Sequence, residues 1–153
     1  MLDERLAKIQ SLLVIQLDRA AAAAIAILQA SQPHLSIKVL NVREDSDSGV
    51  SFVVSGDVPL TFSFNSQMAI IRWLREQDAD AVVILTGRGR SPYCWAYRCY
   101  LAGIPIRIGQ SSEFGGQVLS HPISIPDADG TDPYLCLLQT LGAKHLERSF
   151  CCD

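Results

Sequence analysis

The sequence predicts an α/β fold, with helices covering both faces of an open, mostly parallel sheet. Three observations carry this. Apolar runs alternate with helical patterns along the chain. Residues 12–15 and 81–85 are apolar at every position, as in strands buried on both faces. Length and composition agree: 153 residues, 48% apolar and 19% charged, suit one well-filled core and exclude a disordered chain.

Each element has a local reason. Residues 2–10 read as a short amphipathic helix with Leu2, Leu6 and Ile9 on one face. Residues 12–15, with Leu17, form a buried strand. Asp18 can cap the next helix, because its carboxylate can accept the free N–H groups of a first turn. That helix runs through the alanine tract 20–24 to about Gln29, and Pro33 stops it. Residues 36–42 are the next strand, and 43–49 a polar turn. Residues 50–54 and 60–64 read as two short strands around Gly56-Asp57, a hairpin or an edge pair. Asn65 or Ser66 caps a helix reaching Gln77, with Met68, Ile71, Trp73 and Leu74 apolar. After strand 81–85, Ser91-Pro92 opens a helix and Gly103 ends it. Strands at 104–108 and 118–125 follow, then a helix over 132–141 closed by Gly142. The whole reads as a single Rossmann-like domain of three layers over 1–153, with 143–153 a tail.

Charge and cysteine usage exclude several functions. Thirteen Lys and Arg against sixteen Asp and Glu give a net charge of −3, which argues against a nucleic-acid binder. No apolar run is long enough to cross a bilayer, and the acidic start of the chain lacks a signal peptide's basic region. A cytoplasmic protein is expected. Cys94, Cys99, Cys136, Cys151 and Cys152 are odd in number and form no C-x-x-C pair, so buried thiols in a reducing compartment are expected. His34, His121 and His145 have no ligand spacing, so neither a metal nor another cofactor is expected.

In an open parallel sheet, ligands bind beyond the carboxyl ends of the strands. Two loops qualify. The loop after Leu17 has no glycine to let backbone approach a pyrophosphate, which argues against a dinucleotide. Asp18 in it is either a cap or a weak candidate for a catalytic base. The loop Gly87-Arg88-Gly89-Arg90-Ser91 is the better anion site. Its glycines permit tight turns, the following helix start offers free N–H groups, and Arg88 and Arg90 suit phosphate or carboxylate. A solvated turn is its plain alternative. Trp73, Tyr93, Trp95, Tyr97 and Tyr100 fall at helical spacings and read as core or interface, with a sugar-stacking platform as the functional alternative.

The run 80–91, Asp-Ala-Val-Val-Ile-Leu-Thr-Gly-Arg-Gly-Arg-Ser, followed by Leu-Ala-Gly-Ile-Pro-Ile-Arg-Ile-Gly at 101–109, resembles glycosyltransferase family 9. That family contains the ADP-heptose:lipopolysaccharide heptosyltransferases. His-Pro-Ile-Ser-Ile-Pro at 121–126 and Leu-Leu-Gln-Thr-Leu-Gly at 137–142 fit the same pattern in order and spacing. The resemblance covers roughly residues 70–142 and weakens over 12–42. It implies the N-terminal, acceptor-side half of a GT-B fold. The implied reaction moves a sugar from a nucleotide sugar to a glycolipid in lipopolysaccharide biosynthesis, without a metal. The implied ligand is a phosphorylated saccharide or glycolipid acceptor, held by Gly87–Ser91. The implied location is the cytoplasm, peripheral at the inner membrane face.

Two departures weigh against catalysis. The family's Gly-Asp pair, whose Asp is the general base, aligns with Ala21-Ala22, and the alanine at Ala22 cannot take a proton. The chain also stops at Asp153, where a donor domain is expected, so a separate donor domain or self-association is the expected partner. The alternative function is a non-catalytic binding or interaction module on the same fold.

Overall fold

The computed structural model describes residues 8–45, 49–55, 60–64, 66–86, 91–111, 118–124, 133–139 and 141. The expected helix over 2–10 lies outside the described residues up to position 7, and Ile9 and Gln10 are not helical. The tail from 142 onward also lies outside them.

In chain order, the strands are β1 (Ser11–Gln16), β2 (Ser36–Asp45), β3 (Gly49–Ser55), β4 (Leu60–Phe64), β5 (Ala81–Leu85), β6 (Ile106–Gln110) and β7 (His121–Ile123). The helices are α1 (Ala22–Ser31), α2 (Gln67–Glu76), α3 (Tyr93–Leu101) and α4 (Pro133–Gln139). All the strands join one seven-stranded sheet in the order β4-β3-β2-β1-β5-β6-β7. β1 pairs in parallel with both β2 and β5, and β6 lies parallel between β5 and β7. β3 is antiparallel to both β2 and β4. The mostly parallel α/β sheet expected from the alternation is therefore present, with an antiparallel ribbon on one edge.

Strand side chains alternate between faces, so each central strand feeds two cores. Leu12, Val14, Val39, Ala81, Val83, Leu85, Ile106 and Ile108 meet Ala24, Ile25 and Leu28 of α1 and the buried residues of α4. Leu13, Ile15, Leu40, Val82 and Ile84 meet Ile70, Ile71 and Leu74 of α2 and Trp95, Ala96 and Cys99 of α3. A helix lying on a sheet buries one stripe, and Ile70, Ile71 and Leu74 have that spacing.

Boundaries differ from the sequence reading for identifiable reasons. The polar turn expected over 43–49 is shorter, because Arg43, Glu44 and Asp45 continue β2 against Ser51, Val50 and Gly49. The strand expected over 104–108 is displaced to Ile106–Gln110. Ile104 is still occupied by the end of α3, its N–H donating to the Cys99 carbonyl at 3.1 Å. Pro105 then has no N–H to give a ladder. The strand expected over 118–125 contracts to His121–Ile123. Ser120 interrupts pairing before it, its hydroxyl oxygen accepting from Arg107 N–H at 2.7 Å.

The cysteines also correct the sequence reading. Cys99 is buried and free, but Cys94 is free and exposed. It sits at the second residue of α3, on the helix face turned to solvent. Cys136 is buried within α4 and disulfide-bonded. An odd count without a C-x-x-C pair carries no spacing signal for that bond. Among the described residues, no helix is long and apolar enough to cross a membrane.

Candidate functional site

The chain reverses its direction of travel across the sheet at β1. It passes from β1 to β2 on one side, and later returns to place β5 on the other. Such a switch point opens a crevice beyond the carboxyl ends of the two strands. The residues at the ends of β1 and β5 are therefore the first to consider.

This edge is polar where a fully buried sheet would be apolar. Gln16 closes β1, Thr86 follows β5 and Gln110 closes β6, and all three are buried. Gln16 lies opposite Leu85 in the register and Gln110 opposite Ile123, so a row of side chains closes the end of the sheet. By alternation that row faces α1 and α4. A buried amide must be hydrogen-bonded, and Gln16 Nε2 donates to the Asp18 carbonyl at 3.0 Å. Leu17 N–H donates to the Leu85 carbonyl at 3.0 Å, which ties the two strand ends together.

Asp18 follows directly and has an extended backbone. Its Oδ1 accepts from Ala20 N–H at 3.1 Å, as a helix cap does. Its Oδ2 accepts from the hydroxyl of Tyr134, a buried residue of α4. Both carboxylate oxygens are therefore engaged. The expected capping role of Asp18 is present, and a link to a residue 116 positions away is added to it. Ala20 and Ala21 belong to a 3-10 turn over Arg19–Ala21, and Ala22 begins α1. Ala21 is buried, whereas Ala22 is exposed. Ala22 thus presents only a methyl group to solvent.

Of the expected anion loop, Gly87, Arg88, Gly89 and Arg90 lie outside the described residues. Ser91 is described and exposed, and its Oγ accepts from Tyr93 N–H at 3.2 Å. It thus takes the first N–H of α3, although Pro92, not Ser91, occupies the N-cap position. Thr86 and Ser91, which flank the loop, sit at the carboxyl end of β5 and the start of α3. Gly109 of β6 approaches the same helix start closely. A Cβ there would lie 3.3 Å from Pro92 Cβ and 3.1 Å from Leu119 Cδ2.

The aromatic residues divide between core and surface. Trp95 is buried, whereas Tyr97 and Tyr100 are exposed and stacked, with centroids 6.4 Å apart. The opposite end of the sheet has a different character. A cavity of about 360 Å³ there is lined by Lys8, Ile9, Asp80, Pro105 and Ile106. Asp80 Oδ2 accepts from Gln10 and Ser11 N–H at 2.9 and 3.0 Å, so this carboxylate fixes the start of β1. Among the described residues, no group of His, Cys, Asp and Glu is placed to hold a metal ion.

Gln16, Thr86, Gln110 and Tyr134 are site residues that loop-based sequence reasoning missed. A signal existed for two of them. Gln16 and Gln110 are polar residues that end apolar strands while keeping the strand's inward parity. Tyr134 carried none, because its contact with Asp18 exists only once α4 docks. No family model, curated protein or solved structure matches the chain.

Proposed function

We propose that this chain binds a phosphorylated saccharide, free or as the head of a glycolipid, at the carboxyl edge of β1 and β5. In this reading it is the acceptor-side half of a protein resembling family 9 glycosyltransferases of GT-B architecture. The observation that supports it is the polar row at the switch point: Gln16, Thr86 and Gln110 are buried at the strand ends, and Thr86 directly precedes Gly87 in the chain. Saccharide recognition needs amide and hydroxyl groups of this kind, and Arg88 and Arg90 would supply charge for the phosphate. A glycolipid acceptor would place the domain at the cytoplasmic face of a membrane.

The site residues favour binding without catalysis. Ala22 cannot act as a base, and Asp18 spends both oxygens on Ala20 and Tyr134. Sugar transfer requires a base within hydrogen-bond reach of the acceptor hydroxyl. The same observation supports the second reading, a non-catalytic binding module on this fold.

Titration of the full chain with a hexose phosphate, followed by amide NMR, tests the binding. Shifts confined to Gly87–Ser91 and the ends of β1 and β5 are expected at millimolar ligand. Silence at those amides would sink the proposal. A parallel assay with ADP- and UDP-sugars should show no transfer. Turnover abolished by Asp18→Asn would make Asp18 the base and overturn the non-catalytic reading.

A further inference from the structure

On the α2/α3 side of the sheet, Arg98 is a charged group without an ionic partner among the described residues. It lies on α3 and is 7% exposed. Its Nε donates to Gln67 Oε1 at 2.7 Å, and its guanidinium carbon sits 4.6 Å from the centre of the Trp95 ring. Its Nη1 is buried and has no hydrogen-bond partner among the described residues. No carboxylate among the described residues pairs with it. A buried guanidinium in this state loses hydration that one neutral amide and one ring face replace only in part.

The position of this group gives it a use. Gln67 is the first residue of α2, a helix of 10 residues. Ser66 Oγ caps the Ala69 N–H at 3.1 Å, and the Ser66 carbonyl takes the Ile70 N–H. The Gln67 and Met68 N–H groups, which precede these, have no partner among the described residues. Both side chains are exposed, so the turn is open to solvent. The helix dipole places partial positive charge there. Since α2 leads into the start of β5 and α3 leaves from its end, both helices begin on the carboxyl side of the sheet. Helical side chains lean toward the N-terminus, so Arg98 reaches toward that side as well.

We infer that Arg98 and the first turn of α2 form an anion seat for a phosphoryl group. Nη1 and the amides of Gln67 and Met68 supply the donors. A phosphoryl group offers three strong acceptor oxygens and up to two negative charges, against the two oxygens and single charge of a carboxylate. Binding also gives the buried guanidinium its missing counter-charge. The donors named for this seat include neither Arg88 nor Arg90.

The test is titration of the full chain with inorganic phosphate, and separately with acetate, at constant ionic strength, followed by amide and arginine Nε–H NMR. Saturable shifts at Gln67, Met68 and Arg98 are expected with phosphate in the millimolar range, and weaker ones with acetate. Arg98→Lys, which keeps charge but loses the planar fork, should weaken phosphate binding several-fold. Arg98→Met should weaken it about tenfold or more. An Arg88→Ala/Arg90→Ala double variant should retain the shifts, which separates this seat from the Gly87–Ser91 loop. The inference is overturned if phosphate gives no saturable shift at these amides, if acetate binds as well, or if Arg98→Lys leaves the affinity unchanged. The lysine variant keeps the test decisive even if Arg98→Met fails to fold.

Discussion

At the scale of single residues, burial and hydrogen bonding decide reactivity. Cys99 lies in the core, and burial pushes its thiol pKa up from an ordinary 9.0 to about 12, against the smaller opposing pull of Arg107 and Arg98. A raised folded pKa means the unfolded chain loses this proton first. The contribution to stability is therefore full below pH 9 and lost as pH rises toward 12. Denaturant midpoints should fall across that window, and Cys99→Ala should flatten the fall. Alkylation near neutral pH should label Cys94 in the native protein and reach Cys99 only on unfolding, as peptide mass mapping can show. Tyr134→Phe removes the hydroxyl that Asp18 Oδ2 accepts. We expect a loss of about 1.5–3 kcal/mol by urea denaturation, the range for hydrogen bonds to charged groups. No measurable loss would mean that the tie between α4 and the β1 loop is energetically idle.

At the scale of elements, the ends matter more than the middles. Gly103, just past α3, has a φ of +86°, in the left-handed region that suits glycine. Nothing lies near its missing Cβ, so Gly103→Ala should cost about 1 kcal/mol from backbone strain alone. Gly109 is the opposite case, because crowding is its only difficulty. Gly109→Ala meets Leu119 and the start of α3 at Pro92. It should cost a comparable amount and also shift the amides around Ser91, which Gly103→Ala should leave in place. Heteronuclear spectra of the two variants make the comparison. The strand at 81–85 was legible to the residue, because doubly buried strands are apolar throughout. The displaced start of β6 was not, because a helix end at Ile104 and an apolar strand start look alike in sequence.

At the scale of the whole molecule, one sheet carries two cores. Leu28 on the α1 side and Leu74 on the α2 side are both fully buried, and the sheet separates them. Each truncation to alanine should cost about 2–5 kcal/mol. The double variant should lose close to the sum, since the two share no partner. Two separate unfolding transitions in either single variant would show that the layers melt independently. Among the described residues, the exposed large apolar side chains Met68, Tyr97, Tyr100 and Leu101 all lie on α2 and α3.

The sequence by itself determined the layered α/β plan, the doubly buried strands, the caps at Asp18 and Ser66, and the glycine stop at Gly103. Each follows from periodicity or from hydrogen bonding within a few residues. It also identified Ala21-Ala22 as chemically silent, since no packing gives alanine a proton to exchange. Only the tertiary structure decided the rest. It put β1 at the switch point, buried Gln16 and Gln110 at the ends of their strands, brought Tyr134 to Asp18, and left Arg98 buried against Gln67. These contacts join residues far apart in the chain. Local propensity has no term for them, and they form only when the sheet and its helices close over the same edge.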